Sequence, residues 1–296
     1  MMRSVLYAPG NVPKMVSKVA SFGADGIVLD LEDAVPMAEK KATRALVREG
    51  LRHIRGPLRF VRVNGLPTGL MEDDIGEVFC PELDGIFYPK VEAVEELLKV
   101  DSLLTDLERR HGLPLGKVII RPSFETAKGV LRAYEILQQS PARVRWVSFG
   151  AGDFMREIGT RFGRNLWEPD GLELQFARSQ IVLASRATGR EPPLDTVYGD
   201  IRDLAGLERD ARAAKRLGFQ GKAAIYPAQV EVINRVFTPS GEEIAYAREV
   251  VNAFEKAEAK GSASFTIDGG FVDIAIVEKA RAILKQFGHL LNEERR

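Results

Sequence analysis

VLDLED, at residues 28–33, is the stretch that decides the fold, because a short apolar run ends there in the carboxylates of Asp30, Glu32 and Asp33. The same arrangement recurs along the chain in FVRVN (60–64), IFYPK (86–90), VIIR (118–121) ahead of Glu125, and VSFG (147–150) ahead of Asp153. In a parallel α/β protein the carboxyl ends of the strands share one edge, where ligands bind. We therefore expect these polar side chains to gather in one site.

Strand-like runs alternate with helical patterns over most of the chain. The predicted strands cover about residues 4–8, 26–31, 59–64, 85–89, 117–121, 145–150, 195–199 and 221–226. Most lack a clean polar alternation, which is typical of strands buried on both faces. Four helices are clear from apolar spacing and Pro or Gly punctuation, at 13–22, 38–51, 91–110 and 207–217. Eight such repeats predict an α/β fold of the (β/α)8 TIM-barrel type, with a doubly wound sheet as the alternative.

A closed barrel does not need the residues that follow the eighth strand. Pro239-Ser240 with Glu243 predicts a helix start with a capping box, and that helix should run to about Lys260. Two short extended pieces should follow within 265–273, and a last helix at about 274–291. We therefore predict a barrel domain over 1–238 and a C-terminal helical lid segment over 239–296.

Composition excludes several classes of protein. Lys plus Arg and Asp plus Glu are balanced at 42 each, so no strong field favours nucleic acid or an anionic membrane. The single Cys80 excludes an internal disulfide framework and a cysteine-rich zinc site. No apolar stretch approaches the ~20 residues of a membrane span, and no signal-peptide core is recognisable. We expect a cytoplasmic protein.

Glu125 and Asp153 are the strongest metal candidates, because they follow strands that are neighbours in a barrel. Two carboxylates without His or Cys suit a hard ion that keeps several waters, which favours Mg²⁺ over Zn²⁺ or Cu²⁺. The alternative is two solvated acids, or salt-bridge partners of Arg62 and Arg121.

Arg62 lies within an otherwise apolar strand, where an unpaired guanidinium is costly to bury. Its predicted role is a clamp on a substrate oxygen or carboxylate. The alternative is a structural ion pair with Glu32 or Glu125. Asp30, Glu32 and Asp33 are expected to orient water or Arg62 through hydrogen bonds without touching the substrate. The alternative is that they are acids of a surface loop.

Lys90, after Pro89, could reach the same mouth, although lysines at strand ends are often merely exposed. The three histidines, His53, His111 and His289, lie in or beside predicted helices rather than at strand ends. This disfavours histidine-based triads and zinc sites. The residues by themselves thus indicate a metal-assisted enzyme that acts on an anionic substrate.

The chain resembles the citrate lyase β-subunit-like family, within the HpcH/HpaI aldolase superfamily that also contains citramalyl-CoA and malyl-CoA lyases. The matching pieces are in order and span nearly the whole chain: RSVL through PG (3–10), LDLEDAV (29–35) with Lys40 and Arg44, VRVN (61–64), PKVE (89–92), ETA-x-G (125–129), FGA-x-D (149–153), LGF-x-GK (217–222) and TPS (238–240). Any one piece is weak, but the ordered set is specific.

The resemblance implies a barrel whose C-terminal segment covers a neighbouring subunit in a homotrimer or a dimer of trimers. It implies Mg²⁺ on Glu125 and Asp153, with Arg62 as a catalytic and substrate-binding residue. Backbone N–H groups around Ala151 and Gly152 would hold the substrate carboxylate. Asp273 matches the acid that the family's lid inserts into the partner's site.

Weaker expectations concern groups behind the ligands or near CoA, namely Asp30, Glu32, Asp33, Lys40 and Tyr226. Tyr226 stands where the family usually has the His of Ile-His-Pro, so the family's CoA or substrate contact at this position is not expected to be the same in this chain. Ala275 also stands where the family often has Pro, two residues after the lid acid.

The implied reaction is reversible C–C cleavage of a 3-hydroxyacyl-CoA, such as citryl-, citramalyl- or malyl-CoA, into acetyl-CoA and a 2-oxo acid. The enzyme could stand alone or serve a complex with an acyl-carrier partner. Two alternatives remain open: a class II aldolase acting on CoA-free acids, and a non-catalytic subunit that binds acyl-CoA.

Overall fold

A closed barrel of eight parallel strands forms the main part of the chain. The computed structural model describes residues 2–160, 171–259, 264–267 and 269–287. The strands are β1 (Ser4–Pro9), β2 (Gly26–Asp30), β3 (Leu58–Arg62), β4 (Gly85–Tyr88), β5 (Ile119–Phe124), β6 (Ser148–Phe149), β7 (Leu194–Asp195) and β8 (Gly221–Ala224). They pair in chain order, and β8 closes the barrel against β1. The predicted (β/α)8 architecture is confirmed, and the doubly wound alternative is wrong.

Helices fill the connections between these strands. They are α1 (Pro13–Lys18), α2 (Lys40–His53), α3 (Met71–Val78), α4 (Val94–Arg110), α5 (Ala127–Leu131), α6 (Ala133–Gln139), α7 (Ala151–Glu157), α8 (Leu172–Ala187), α9 (Leu204–Leu217) and α10 (Pro227–Phe237). The segment Val19–Phe22 after α1 is a 3-10 turn that ends at Gly23 in the left-handed conformation. All four predicted helices are present, with boundaries shifted by a few residues.

The fifth strand lies two to three residues later than predicted and continues through Pro122. The predicted range was 117–121, whereas β5 runs to Phe124 with every residue buried. Ile120 donates its N–H towards the β6 side, to the carbonyl of Arg143, so the next N–H on that side would belong to residue 122. Proline has no N–H to donate. Regular pairing with β6 is therefore limited to Ser123 and Phe124.

The chain divides into two compact units between Phe237 and Thr238. In the second unit, α11 (Gly241–Glu258) begins with the expected capping box, in which Ser240 Oγ accepts from the N–H of Glu243 and the Glu243 carboxylate accepts from the N–H of Ser240. A hairpin of β9 (Phe265–Ile267) and β10 (Gly270–Val272) leads into α12 (Ile274–Phe287). These elements enclose an apolar cluster of their own, which includes Val250, Phe254 and Val277.

None of the helices among the described residues has the length and apolar character that a membrane span requires.

Candidate active site

A cavity opens at the carboxyl ends of the strands, where the sequence predicted a site. Its volume is about 210 Å³. The polar side chains that line it come from most of the strands or the loops directly after them: Tyr7, Asp33, Arg62, Arg121, Ser123, Glu125, Ser148, Asp153, Asp195 and Thr196. Parallel strands in a closed barrel bring these sequence-distant residues into one ring.

Arg62, at the end of β3, is anchored to the acids that follow β2. Its Nε donates to Asp30 Oδ1 at 2.7 Å, and its Nη2 donates to Asp30 Oδ2. Asp30 also accepts from the backbone N–H groups of Glu32 and Ala34. Arg62 Nη1 lies 2.7 Å from Glu32 Oε2, and the guanidinium stacks 5.5 Å above the Tyr7 ring. The guanidinium is therefore fixed in one orientation at the cavity wall.

Lys90 lies at the centre of four carboxylates. Its Nζ donates to Glu32 Oε1, and it lies 3.2 Å from Asp33 Oδ2, 3.0 Å from Asp153 Oδ2 and 4.0 Å from Glu125 Oε2. Its backbone has φ 48°, and among the described residues it is the one non-glycine with positive φ. Such a conformation is costly and typically persists at functional sites. Burial opposes the charge of Lys90, but the surrounding carboxylates raise its pKa.

Glu125 and Asp153 point at a common position. Glu125 is 5% exposed, and burial raises its pKa despite nearby positive charges. Burial also acts on Asp153, but Lys90 and Arg156 outweigh it and lower the pKa of that carboxyl. Gly150 permits the approach of Glu125, since a Cβ there would lie 2.5 Å from the Glu125 Cγ.

The structure decides between the ion-pair alternatives for these residues. Arg62 forms the structural ion pair that was considered for it, with Asp30 and Glu32 rather than with Glu125. Glu125 and Asp153 do not pair with Arg62 or Arg121. Lys90 lies beside both carboxylates, and Arg156 pairs with Asp153.

The two acids beside Arg62 titrate differently. Burial raises the pKa of Glu32 to about 7, although Arg62 and Lys90 act in the opposite direction. Asp30 is also buried, but its two-point contact with Arg62 and two backbone N–H bonds lower its pKa. Asp30 therefore serves as the fixed counter-ion of Arg62. Glu32 is the acid in this wall that can change charge near neutral pH.

The backbone N–H groups predicted to bind a carboxylate are at the start of α7. The N–H of Ala151 donates to Thr196 Oγ1 at 2.9 Å, so it is already engaged. Gly152 lines the cavity in the same turn. The role of this turn in substrate binding stays a prediction, and Gly152 is the better placed of the two.

Lys40 and Tyr226 are not among the residues that line the cavity, although each lies close to one that does. Lys40 is buried and donates to the carbonyls of Leu31 and Glu32, at 2.8 and 2.7 Å, which fixes the loop after β2. Tyr226 follows β8 and is 46% exposed. Contacts of either residue with CoA stay predictions.

Asp273 belongs to the C-terminal unit, where it starts α12. Its Oδ1 accepts from the N–H groups of Ala275 and Ile276 at 3.0 and 3.2 Å, as a helix N-cap does. Its role in a neighbouring subunit's site stays a prediction.

Three residues matter more to the site than the sequence indicates: Tyr7 and Arg121, which line the cavity, and Lys90, which contacts its carboxylates. Lys90 was treated as a strand-end lysine, yet it joins the two predicted metal carboxylates to the acids after β2. Tyr7 was not proposed for the site, and Arg121 was expected at the strand ends only as one of the converging residues or as an ion-pair partner of the carboxylates. Arg121 carried a usable signal, since a guanidinium within Ile119-Ile120-Arg121-Pro122 needs a partner for the same reason as Arg62.

The donor set fits a magnesium ion. Among the described residues there is no group of three or more His, Cys, Asp and Glu side chains arranged to hold a metal. However, Mg²⁺ is commonly held by only one or two carboxylates, with waters and substrate completing its shell. The position of the Lys90 ammonium shows that oxygens of both Glu125 and Asp153 can face a single cation.

Comparison with known proteins agrees with this geometry. The sequence profile of HpcH/HpaI aldolase/citrate lyase matches residues 3–227. The chain belongs to this family. Citrate lyase subunit beta of Leuconostoc mesenteroides subsp. cremoris is 37% identical over 297 residues, which cover 99% of this chain and 96% of the relative. A (3S)-malyl-CoA thioesterase of Cereibacter sphaeroides is 36% identical over 284 residues, or 95% and 93% of the two chains.

A solved structure is similar over the same length. Protein CitE from Mycobacterium tuberculosis, crystallised with magnesium, acetoacetate and coenzyme A, covers 97% of this chain and 98% of its own, with a TM-score of 0.77 and 29% identity. The predicted family and the predicted lyase class are thereby confirmed.

Proposed function

We propose that this protein is a Mg²⁺-dependent lyase that cleaves or forms the C–C bond of a 3-hydroxyacyl-CoA, such as citryl-, citramalyl- or malyl-CoA. The products would be acetyl-CoA and a 2-oxo acid. The observation that carries the proposal is the convergence of Glu125 and Asp153 on one cation position, beside an anchored Arg62. Relatives that bind magnesium and CoA support it.

Glu125 and Asp153 would hold the metal, which when bound supplies Lewis-acid activation of the substrate hydroxyl. Arg62 would stabilise the oxyanion that develops on the same oxygen. Asp30 occupies Nε and Nη2 of that guanidinium, and Nη1 lies 2.7 Å from Glu32 Oε2, so the reacting oxygen would share Nη1 with the Glu32 carboxylate. A preorganised donor of this kind is typically worth about 3–4 kcal/mol in the transition state.

Lys90 would balance charge in this site. Four carboxylates surround it, and without its ammonium they would repel an anionic substrate. The turn at Gly152 would meet the substrate carboxylate with a backbone N–H.

Asp273 would protonate the enolate carbon of the departing acetyl-CoA, in the site of a neighbouring subunit. This part of the proposal includes a homo-oligomer, either a trimer or a dimer of trimers. The substitution Asp273→Asn tests it well, because Asn is as good an N-cap as Asp and α12 should keep its start. Loss of activity would then reflect the lost proton rather than a lost helix cap.

A complementation experiment tests whether the site is shared. Inactive Asp273→Asn and inactive Glu125→Gln protomers are mixed under exchange, and formation of mixed oligomers is verified by mass. Recovered lyase activity supports catalysis across subunits. No recovery in proven mixed oligomers would assign Asp273 to its own chain or to the helix cap alone.

The reaction itself is tested with a panel of 3-hydroxyacyl-CoA thioesters and Mg²⁺, following both acetyl-CoA and 2-oxo acid. Glu125→Gln and Asp153→Asn should each abolish divalent-dependent turnover without lowering the melting temperature. Arg59→Gln, which changes a partly buried pair with Asp84 on the same barrel, away from the cavity lining, is the matched control and should retain activity. Full activity in EDTA would overturn the proposal.

Thioester hydrolysis is the second candidate, favoured by the 36% identity to a (3S)-malyl-CoA thioesterase. The same assay separates the two, because hydrolysis releases free CoA thiol and leaves the hydroxy acid intact. Turnover of CoA-free hydroxy acids would instead favour the class II aldolase. Binding of acyl-CoA without any turnover would favour a non-catalytic subunit.

A further inference from the structure

Arg121 is the one buried arginine of the described residues that has no carboxylate partner. The others pair as expected: Arg44 with Asp74 and Glu77, Arg143 with Asp101 and Glu108, and Arg178 with Asp195 and Asp210. A buried charge is costly unless it is paired. The buried guanidinium of Arg121 therefore needs a counter-ion, which a bound ligand could supply.

The contacts of Arg121 leave part of its hydrogen-bonding fork unused. Its Nε donates to Ser148 Oγ at 2.7 Å, and its Nη1 lies 4.0 Å from Met2 Sδ. Its Nη2 is buried and has no hydrogen-bond partner among the described residues. The faces of Phe60 and Phe87 lie 5.7 and 5.1 Å from its Cζ and hold the guanidinium plane.

Arg121 lines the same cavity as the proposed metal carboxylates. Arg121 and Ser123 are on β5, and Glu125 directly follows it. Residues at i, i+2 and i+4 of an extended segment share one face. Of these three residues, Arg121 lies farthest from the mouth of the barrel. A small acid whose one end is held at Glu125 would thus extend towards the guanidinium.

We propose that Arg121 is a specificity-determining residue that binds a second carboxylate, at the end of the substrate's acid portion that lies away from Glu125 and Asp153. The inference rests on the proposed function and names its substrate class: acids with a further carboxylate beyond the reacting group. Arginine binds carboxylates with two parallel N–H donors, which suits this fork. Burial lowers the pKa of Arg121 to about 10, so the residue stays protonated at neutral pH and an anion would restore its lost solvation.

Malate and lactate are the probes, because they share the 2-hydroxycarboxylate group that can face the metal and differ by one carboxylate. Their binding to the Mg²⁺-loaded protein is measured by calorimetry. The wild type should prefer malate by about 10-fold or more, as expected for a charge-assisted bond. Arg121→Met keeps an apolar filler between Phe60 and Phe87, and it should reduce the malate preference to within about 3-fold while lactate binding is unchanged. Arg59→Gln should leave the preference intact.

Equal affinities of the wild type for the two acids would overturn the proposal, and so would a malate preference that survives in Arg121→Met. If Arg121→Met does not fold, Arg121→Lys takes its place, because it keeps the buried charge and loses the two parallel donors, and a malate preference that survives in it would likewise overturn the proposal. The readout is independent of the lyase assay. A malate preference that is lost in Arg121→Met, in a protein that does not cleave thioesters, would contradict the proposed reaction and support the role of Arg121. Thioester cleavage by a protein without a malate preference would support the reaction and contradict the role of Arg121.

Discussion

The Arg62–Asp30 pair should contribute far more to stability than a similar pair elsewhere on the same strand. Removing one partner of a buried ion pair typically costs about 3–5 kcal/mol, because the other charge is left buried and unpaired. The side chain of Asp30 is 2% exposed, whereas that of Asp84, which Arg59 contacts in the same two-point manner, is 24% exposed. We therefore expect Arg62→Gln to lower the free energy of unfolding by about 3–5 kcal/mol, and Arg59→Gln by less than about 1 kcal/mol.

Two double-mutant cycles measure the difference, one with Arg62→Gln and Asp30→Asn and the other with Arg59→Gln and Asp84→Asn. Urea unfolding is followed by fluorescence and circular dichroism, and coincident transitions are required before free energies are compared. The coupling free energy should be about 2–3 kcal/mol for the Arg62–Asp30 pair and below about 1 kcal/mol for the more exposed Arg59–Asp84 pair. Equal couplings would refute the reasoning from burial. They would also mean that Asp30 does not fix the orientation of Arg62.

Three further predictions follow from the same contacts. Lys90→Met should tighten Mg²⁺ binding about 10-fold in calorimetry, because it removes a positive charge that competes with the metal for the same carboxylates. Weaker binding would show that Lys90 assists the metal. Burial raises the pKa of Glu32 from 4.5 to about 7, so the folded state holds a proton that the unfolded state releases. Stability should therefore fall as pH rises between these values, and Glu32→Gln should flatten that part of the pH profile of urea unfolding; an unchanged profile would contradict the assignment. Ser240→Ala should destabilise α11 by about 1 kcal/mol through the lost cap, and hydrogen exchange in α11 no faster than in wild type would count against this.

The repeated strand–helix pattern predicted the barrel well because it depends on local features. Apolar runs such as Val28-Leu29 need burial on both faces, and Gly23 or Gly218 ends a helix through its own left-handed backbone. Boundaries failed where a neighbouring strand decides them. Pro122 removes one donor, and this shortens the pairing of β5 with β6 even though the local run is strongly apolar.

For the site, the sequence by itself determined which residue types stand at the strand ends, and therefore that Glu125, Asp153 and Arg62 would share a mouth. Only the tertiary structure decided their partners. Strand tilt and side-chain length bring Lys90 into contact with four carboxylates from three different loops, and they leave Arg121 with none. A carboxylate's nearest cation depends on distances of a few ångströms across the barrel, and residue order along the chain does not encode such distances.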